Sequence, residues 1–301
     1  MTYSIVAMDP DAGIMGVGVQ SHYFSVGSVV PWVKAGKGAV ATQAMAETSY
    51  GFRGLELMSQ GLSAPRALNC LLDEDSFPDT RQVAFLDING GVEAHTGASC
   101  IPEAGHHIGE GFSCQANMME HDTVWDAMAD AFIDSEGDTL DKRILSALKA
   151  AEAEGGDIRG KQSSAIVISR IQSSAKPWQD TLMDLRVEDS TRPIDKLDRF
   201  IKLHKCYGLA DRGEELMGKG EVEEAFRYYE LASETCPENH EVMFWRAVTL
   251  SQAGEEKEAM NLFRALFLSE PQWRELLMRL TRCGMFEEEM ARGMLRRIDE
   301  L

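Results

Sequence analysis

Seven residue identities recur at an offset of 34 between residues 212 and 271: Arg212/Arg246, Leu216/Leu250, Gly220/Gly254, Glu221/Glu255, Glu224/Glu258, Ala225/Ala259 and Pro237/Pro271. Tyr229/Phe263 is a conservative eighth pair. A fixed period of this size belongs to stacked helical hairpins, each of which buries its apolar face only on a neighbour. The feature commits everything beyond about residue 195 to helices. Residues 272–299 carry Trp273, Leu276, Leu277, Leu280, Met290, Met294, Leu295 and Ile298 at helical spacing. They predict covering helices that cap the array rather than a third full repeat, with the Met and Leu stripe in the core.

The front of the chain reads differently. Fifteen of the 26 glycines precede residue 112, and β-branched residues cluster with them. Ser4–Met8 and Met15–Gln20 predict two strands joined by the Pro-set turn Asp9-Pro10-Asp11-Ala12-Gly13. Strand-like runs follow at about 28–33 and 38–45. Helical spacing then takes over from Tyr50 to Gln60, and Ser63 is a candidate N-cap for a second helix. Arg81–Asp87 and Val92–Thr96 flank Asn89-Gly90-Gly91 as a hairpin. A Gly-rich loop leads to a strand near 112–116, two helices at about 123–134 and 139–153, and strands at 163–169 and 181–187. Short turns favour antiparallel pairing. Helix pairs between hairpins suggest an α+β fold built as a four-layer α/β/β/α sandwich; spacing alone leaves a two-layer α+β fold open. The expected domains are a sandwich at 1–204 and a helical repeat domain at 205–301.

Charge bounds the partners. The 49 acidic and 30 basic side chains leave a net charge of −19, which argues against nucleic acid and anionic membranes. Within residues 1–130 only Lys34, Lys37, Arg53, Arg66 and Arg81 are basic, against sixteen acidic residues. No apolar run reaches the ~20 residues of a membrane span. The opening segment MTYSIVAMDPDAG lacks a basic region, so no signal peptide is expected. Six cysteines without a CxxC pair suit a reduced cytoplasmic protein.

Candidate chemistry starts at Thr2. A threonine this small should allow aminopeptidase removal of Met1, and a terminal threonine brings its own base, an α-amine of pKa about 7.7–8.0. The alternative is an ordinary edge strand. His95, Cys100, His106, His107 and Cys114 have zinc-suited side chains but no compact ligand spacing; no metal or cofactor is expected. Gly105, Gly109 and Gly111 make no phosphate loop, and no serine sits in a GxSxG elbow. Asp157-Ile-Arg-Gly-Lys-Gln-Ser163 concentrates polar groups at a strand entrance, either a pocket lining or a solvated turn.

Several ordered motifs are similar to those of one family: TYSIVAMDP, GVGVQSHYFSVGSVVPW, GAVATQA, YGFRGLELMSQGLSAPRAL, RQVAFLD, HTGASC, QANMM and GGDIRGKQSSAIVIS. Together they resemble domain-of-unknown-function family 1028 over roughly residues 2–205, departing from its pattern at Glu103 and Ala116, where Trp and Gly are expected. That family is grouped with the N-terminal-nucleophile hydrolases, so the resemblance implies the α/β/β/α sandwich. It also places Thr2 as nucleophile, Ser4 two residues on along the same strand face, Lys34 as the nearby lysine, and Gln20 and Ser21 where such enzymes hold a polar orienting group. The order Leu, Gly, Ala, aromatic, Pro in the rear repeat resembles the second half of a tetratricopeptide repeat.

The resulting expectation is an amidohydrolase with Thr2, Lys34 and Ser21 as catalytic residues and Ser4, Gln20, Gln43, Asp157 and Arg159 as binding residues. Thr2 would attack an amide carbonyl, its amine would take the proton, and Lys34 would keep that amine neutral by like-charge repulsion. The expected partners are a small-molecule or peptide amide substrate, a protein bound through the repeats, and further copies of the chain in a homo-oligomer. The competing expectation is a non-catalytic protein of the same fold that binds a ligand or assembles.

Overall fold

The computed structural model describes residues 2–300. The chain divides into two compact units, Met1–Ile201 and Lys202–Leu301. The first is mixed α and β; the second is helical throughout its described residues.

Among the described residues of the first unit, ten strands form two sheets, and every strand pairing within them is antiparallel. The strands are β1 (Thr2–Asp9), β2 (Ile14–Ser21), β3 (Pro31–Lys34), β4 (Gly38–Ala44), β5 (Arg81–Asp87), β6 (Val92–Thr96), β7 (Gly105–Gly109), β8 (Phe112–Asn117), β9 (Ser163–Arg170) and β10 (Thr181–Val187). One sheet runs β10-β9-β2-β1-β8-β7, the other β3-β4-β5-β6. The strand expected at 28–33 is split, with a 3-10 turn at Val26–Ser28 ahead of a short β3.

Period-two alternation explains how the sheets stack. Val6, Met8, Met15, Val17 and Val19 of the first sheet meet Ala39, Ala41, Ala84 and Leu86 of the second in one buried cluster. The opposite face of the first sheet presents Tyr3, Ile5, Phe112 and Cys114 to helices α3 (Val124–Asp134) and α4 (Leu140–Ala153) and to the start of α5 (Pro193–Gly218). The opposite face of the second presents Val40, Val83 and Phe85 to α1 (Ser49–Ser59) and α2 (Ala64–Glu74). The Gly-Val-Gly-Val run in β2 shows the division of labour. Its valines face the other sheet, while a Cβ on Gly18 would lie 2.3 Å from Ile144 of α4. Glycine there lets the helix lie close against the strand.

One segment departs from expectation. Residues 105–109, expected as Gly-rich loop, form the edge strand β7 on β8, where His107 stacks on Phe112 at 6.2 Å. Glycines at 105, 109 and 111 hide the alternation that would have marked it.

The second unit holds the rest of α5 with α6 (Val222–Thr235), α7 (His240–Gln252), α8 (Glu256–Ser269), α9 (Gln272–Arg282) and α10 (Glu288–Asp299). Positions one period apart adopt the same backbone: Gly220 and Gly254 have φ of 78° and 88°, and Cys236 and Glu270 have φ of −140° and −138°. Ala225, Ala259 and Phe263 are fully buried and Tyr229 nearly so. Trp273, Leu277, Leu280, Met294 and Ile298 pack with α7 and α8 residues in one core. Among the described residues, no helix is long and apolar enough to cross a membrane.

Candidate functional site

The inter-sheet layer changes character at the Thr2 end of β1. Thr2, Ser4, Gln43, Gln82, Gln115 and Asn117 are all buried there, although several replace the apolar residue that alternation would supply. Burying so many polar groups is tolerable only if they bond to one another, and they do. The Thr2 hydroxyl donates to the Ser21 hydroxyl at 3.0 Å. Ser4 donates to Gln43 Oε1 at 2.6 Å and accepts from Gln115 Nε2 at 2.6 Å. Gln43 Nε2 bonds to Gln82 Oε1 at 2.7 Å and to the Thr2 carbonyl at 3.2 Å. Asn117 Nδ2 reaches the same Gln82 oxygen at 2.7 Å. Gln82 Nε2 in turn donates to Thr96 Oγ1 at 2.9 Å and to the Ala116 carbonyl at 2.8 Å. The network holds Thr2 through its hydroxyl on Ser21 of β2 and through its carbonyl on Asn117 of β8 and Gln43 of the opposite sheet.

Above this floor a cavity of about 330 Å³ opens beside Thr2 and Ser21. Val26, Val29, Val30 and Met45 supply apolar wall, and Gln43, Arg81 and Arg159 supply polar groups. Arg159 is held by Asp157, whose fully buried carboxylate accepts from Arg159 Nε at 3.0 Å and from Nη2 at 2.8 Å. The same carboxylate accepts from the His22 backbone at 3.0 Å. Arg81 is held in the same way by Asp75, with Nε to Oδ2 at 2.7 Å and Nη2 to Oδ1 at 3.2 Å. That pairing brings the Asp75 carboxyl down to about 2 and raises Arg81 above its ordinary value.

Backbone strain gathers at this end. Non-glycine residues with positive φ among those described are Ser25 (57°), Ala44 (65°), Glu103 (53°) and Met118 (58°). Ala44 lines the cavity, Ser25 precedes its Val26 wall, and Met118 follows Asn117, the strand partner of Thr2. Glu103 accepts from the Met119 backbone at 3.2 Å. Left-handed backbone costs a side-chain-bearing residue about 1–2 kcal/mol, and such positions cluster where a site needs a fixed shape.

Thr2, Ser21, Gln43 and Arg159 therefore meet at one cavity, with Ser4 beneath them and Asp157 behind Arg159. Two expected residues lie elsewhere. Lys34 pairs with Gly38, at the end of β4 remote from Gln43. Five residues of strand at about 3.3 Å each put it on the order of 16 Å away along the sheet. It lines a different cavity, of about 380 Å³, with Lys37, Glu56 and Arg186. The thirty-residue spacing misleads because the 3-10 turn and short β3 intervene and carry the chain to the other end. Gln20 pairs with Tyr3 and Ser164 and shares their outward face, since alternation turns it away from Ser21. Its side-chain amide is buried without a hydrogen-bond partner among the described residues. Met1, whose removal the sequence leads one to expect, lies outside the described residues.

Arg81, Gln82, Gln115 and Asn117 belong to the site although none stood among its expected members. The last three are polar residues at inward strand positions, in RQVAFLD and FSCQAN. The histidine loop contributes only indirectly. His106 Nδ1 bonds Thr96 Oγ1 at 2.8 Å, and burial lowers the His106 pKa. His95 Nε2 bonds the Pro78 carbonyl at 2.9 Å. Among the described residues no group of three or more His, Cys, Asp or Glu is placed to hold a metal ion.

Residues 2–197 match the model of a family described as a family of unknown function, DUF1028. A crystal structure of a Silicibacter pomeroyi protein assigned to the same family is similar, with a TM-score of 0.59 and 28% identity, covering 67% of this chain and 88% of that one. No curated protein matches the chain.

Proposed function

The chain belongs to the DUF1028 family, and we propose that its first unit is an N-terminal-nucleophile amidohydrolase in which Thr2 Oγ1 attacks the carbonyl carbon of an amide. The observation that carries this reading is the Thr2 hydroxyl itself. It lies on the wall of a cavity, hydrogen-bonded to Ser21, on a strand end whose carbonyl is fixed by Gln43. The arrangement of two stacked sheets with a helix pair outside each supports the same class. Catalysis requires that nothing precede Thr2. Its α-amine then takes the hydroxyl proton as the Oγ1–C bond forms, and returns a proton to the departing amine as the C–N bond breaks. Water hydrolyses the resulting Thr2 ester and releases the acid. Lys34 takes no part. The cations lining this cavity are Arg81 and Arg159, each paired with a carboxylate, Asp75 and Asp157.

We read the second unit as tetratricopeptide-like, on its 34-residue period and its buried Ala225 and Ala259, and as a surface for a protein partner in a reducing compartment. A second reading, ligand binding without chemistry, draws on the 5% exposure of Thr2. Two measurements separate the readings. Intact-mass spectrometry of chain from its native host should show Thr2 at the terminus. A β-lactone should then acylate the wild type once, leave Thr2→Ala unlabelled, and label Thr2→Ser. A residue quantitatively retained ahead of Thr2 overturns the hydrolase reading, as does equal labelling of Thr2→Ala.

A further inference from the structure

The Thr2 cavity is unusual for this chain in its charge. Acidic residues outnumber basic ones by 49 to 30 overall, yet among the described residues no Asp or Glu side chain lines the cavity, while two guanidiniums do. One of them, Arg81, is among only five basic residues in the first 130. Neither is a flexible surface cation. Each is gripped by two hydrogen bonds to a carboxylate that does not itself line the cavity, Asp75 for Arg81 and Asp157 for Arg159. A planar guanidinium so anchored has its rotamer set before any ligand arrives, which lowers the ordering cost of binding. The rest of the wall is apolar: Val26, Val29, Val30 and Met45.

From this juxtaposition we propose that the cavity selects small amides bearing a free carboxylate on an apolar body, with Arg159 and Arg81 receiving the carboxylate and the valine wall receiving the aliphatic part. N-acylated apolar amino acids are the simplest members of that class. The assignment rests on the hydrolase reading only for the fate of the amide; recognition of the carboxylate stands on the cavity alone. Size agrees. At about 330 Å³ the space sits at the lower end of small-molecule sites, which run from about 300 to 1,000 Å³. The net charge of −19 does not forbid an anion here, because exposed charges beyond a Debye length of about 8 Å are largely screened at physiological salt. Within that distance Asp75 and Asp157 offset the charge of the guanidiniums, so selection rests on directed N–H donors at a cavity wall that carries no carboxylate.

The test uses the full-length Thr2→Ala chain, which binds without turnover, and titrates N-acetyl-leucine against N-acetyl-leucinamide by calorimetry. The pair differs only in the carboxylate. A charge-assisted, bidentate contact should favour the acid by about tenfold or more. Arg159→Gln should erase that preference while Arg159→Lys keeps part of it, with circular dichroism reporting that both variants remain folded. Arg81→Gln checks the second cation independently. Equal affinity for acid and amide, no binding of the acid at millimolar concentration, or a preference that survives both substitutions overturns the proposal. Turnover is scored separately on the wild type. Acid-selective binding without hydrolysis removes the hydrolase reading and leaves the carboxylate site, whereas hydrolysis indifferent to the carboxylate does the reverse.

Discussion

The layer between the two sheets has an apolar end and a polar end, drawn from the same strands. Along β1 the inward residues run Thr2, Ser4, Val6, Met8; along β2 they run Ser21, Val19, Val17, Met15; along β4, Gln43, Ala41, Ala39; along β5, Gln82, Ala84, Leu86. Each strand is polar toward the same end, although β1 stays polar one inward residue further than β2, where Ser4 lies opposite Val19. The apolar end needs nothing but volume, and its side chains act through area removed from water. The polar end needs partners, because each amide left unpaired would cost about 1–3 kcal/mol. A sheet pair built only for stability would continue the valines and alanines to both ends. The amides are better understood as a rigid floor for the cavity, a role in which directionality matters more than burial.

Three substitutions sharpen that contrast. Gln82→Leu should have the largest effect. It removes the acceptor of Gln43 Nε2 and Asn117 Nδ2 and the donor to Thr96 and Ala116, stranding several buried groups at once. We expect a loss of about 3–5 kcal/mol in urea unfolding, together with loss of β-lactone reactivity at Thr2. Val17→Ala, at the apolar end, should cost about 2 kcal/mol from lost burial and a small cavity. Its reactivity at Thr2 should be unchanged; a matched drop would erase the distinction between the two ends.

The smallest effect is at Asp75, which braces Arg81 from behind the polar end. Its folded pKa of about 2 lies below the unfolded value of about 3.9. A depressed carboxyl contributes stability that is present in full above the unfolded value and is lost as pH falls toward the folded one. Asp75→Asn should therefore cost about 1–2 kcal/mol at neutral pH and flatten the stability profile between about pH 4 and 2. Urea midpoints across that window read the difference directly. A profile unchanged by the substitution would show that the pair adds no net stability.

The same contrast explains what could be read from the chain alone. Elements marked by a run or a period of apolar residues were legible: β1 and β2 from Ser4–Met8 and Met15–Gln20, α3 and α4 from their spacing, and the helical period from residue pairs such as Ala225/Ala259. The site was half legible. Thr2, Ser21, Gln43, Asp157 and Arg159 stand in recognisable segments, and sequence placed them together. Gln82, Gln115 and Asn117 were missed because a polar residue inside an alternating strand looks, in sequence, like the solvent face. Only the opposing sheet shows that it faces inward. Lys34 fails for a different reason. Spacing counts residues, whereas the ends of a strand are decided by where the intervening turn reverses the chain. Arg81 could not be assigned without knowing that β5 begins at the level of the Thr2 cavity.

The position of β1 has a consequence for the order of events during synthesis. It is the first of the described strands to be made, yet it lies between β2 and β8 in the middle of the six-stranded sheet, with Thr2 opposite Asn117. The hairpin with β2 can form early, but the other flank stays open until β8 has been translated. At about 5–20 residues per second this leaves an interval on the order of ten seconds. Throughout it, whatever precedes Thr2 is accessible on the nascent chain. Until β8 arrives, the Thr2 end of β1 is paired along one edge only.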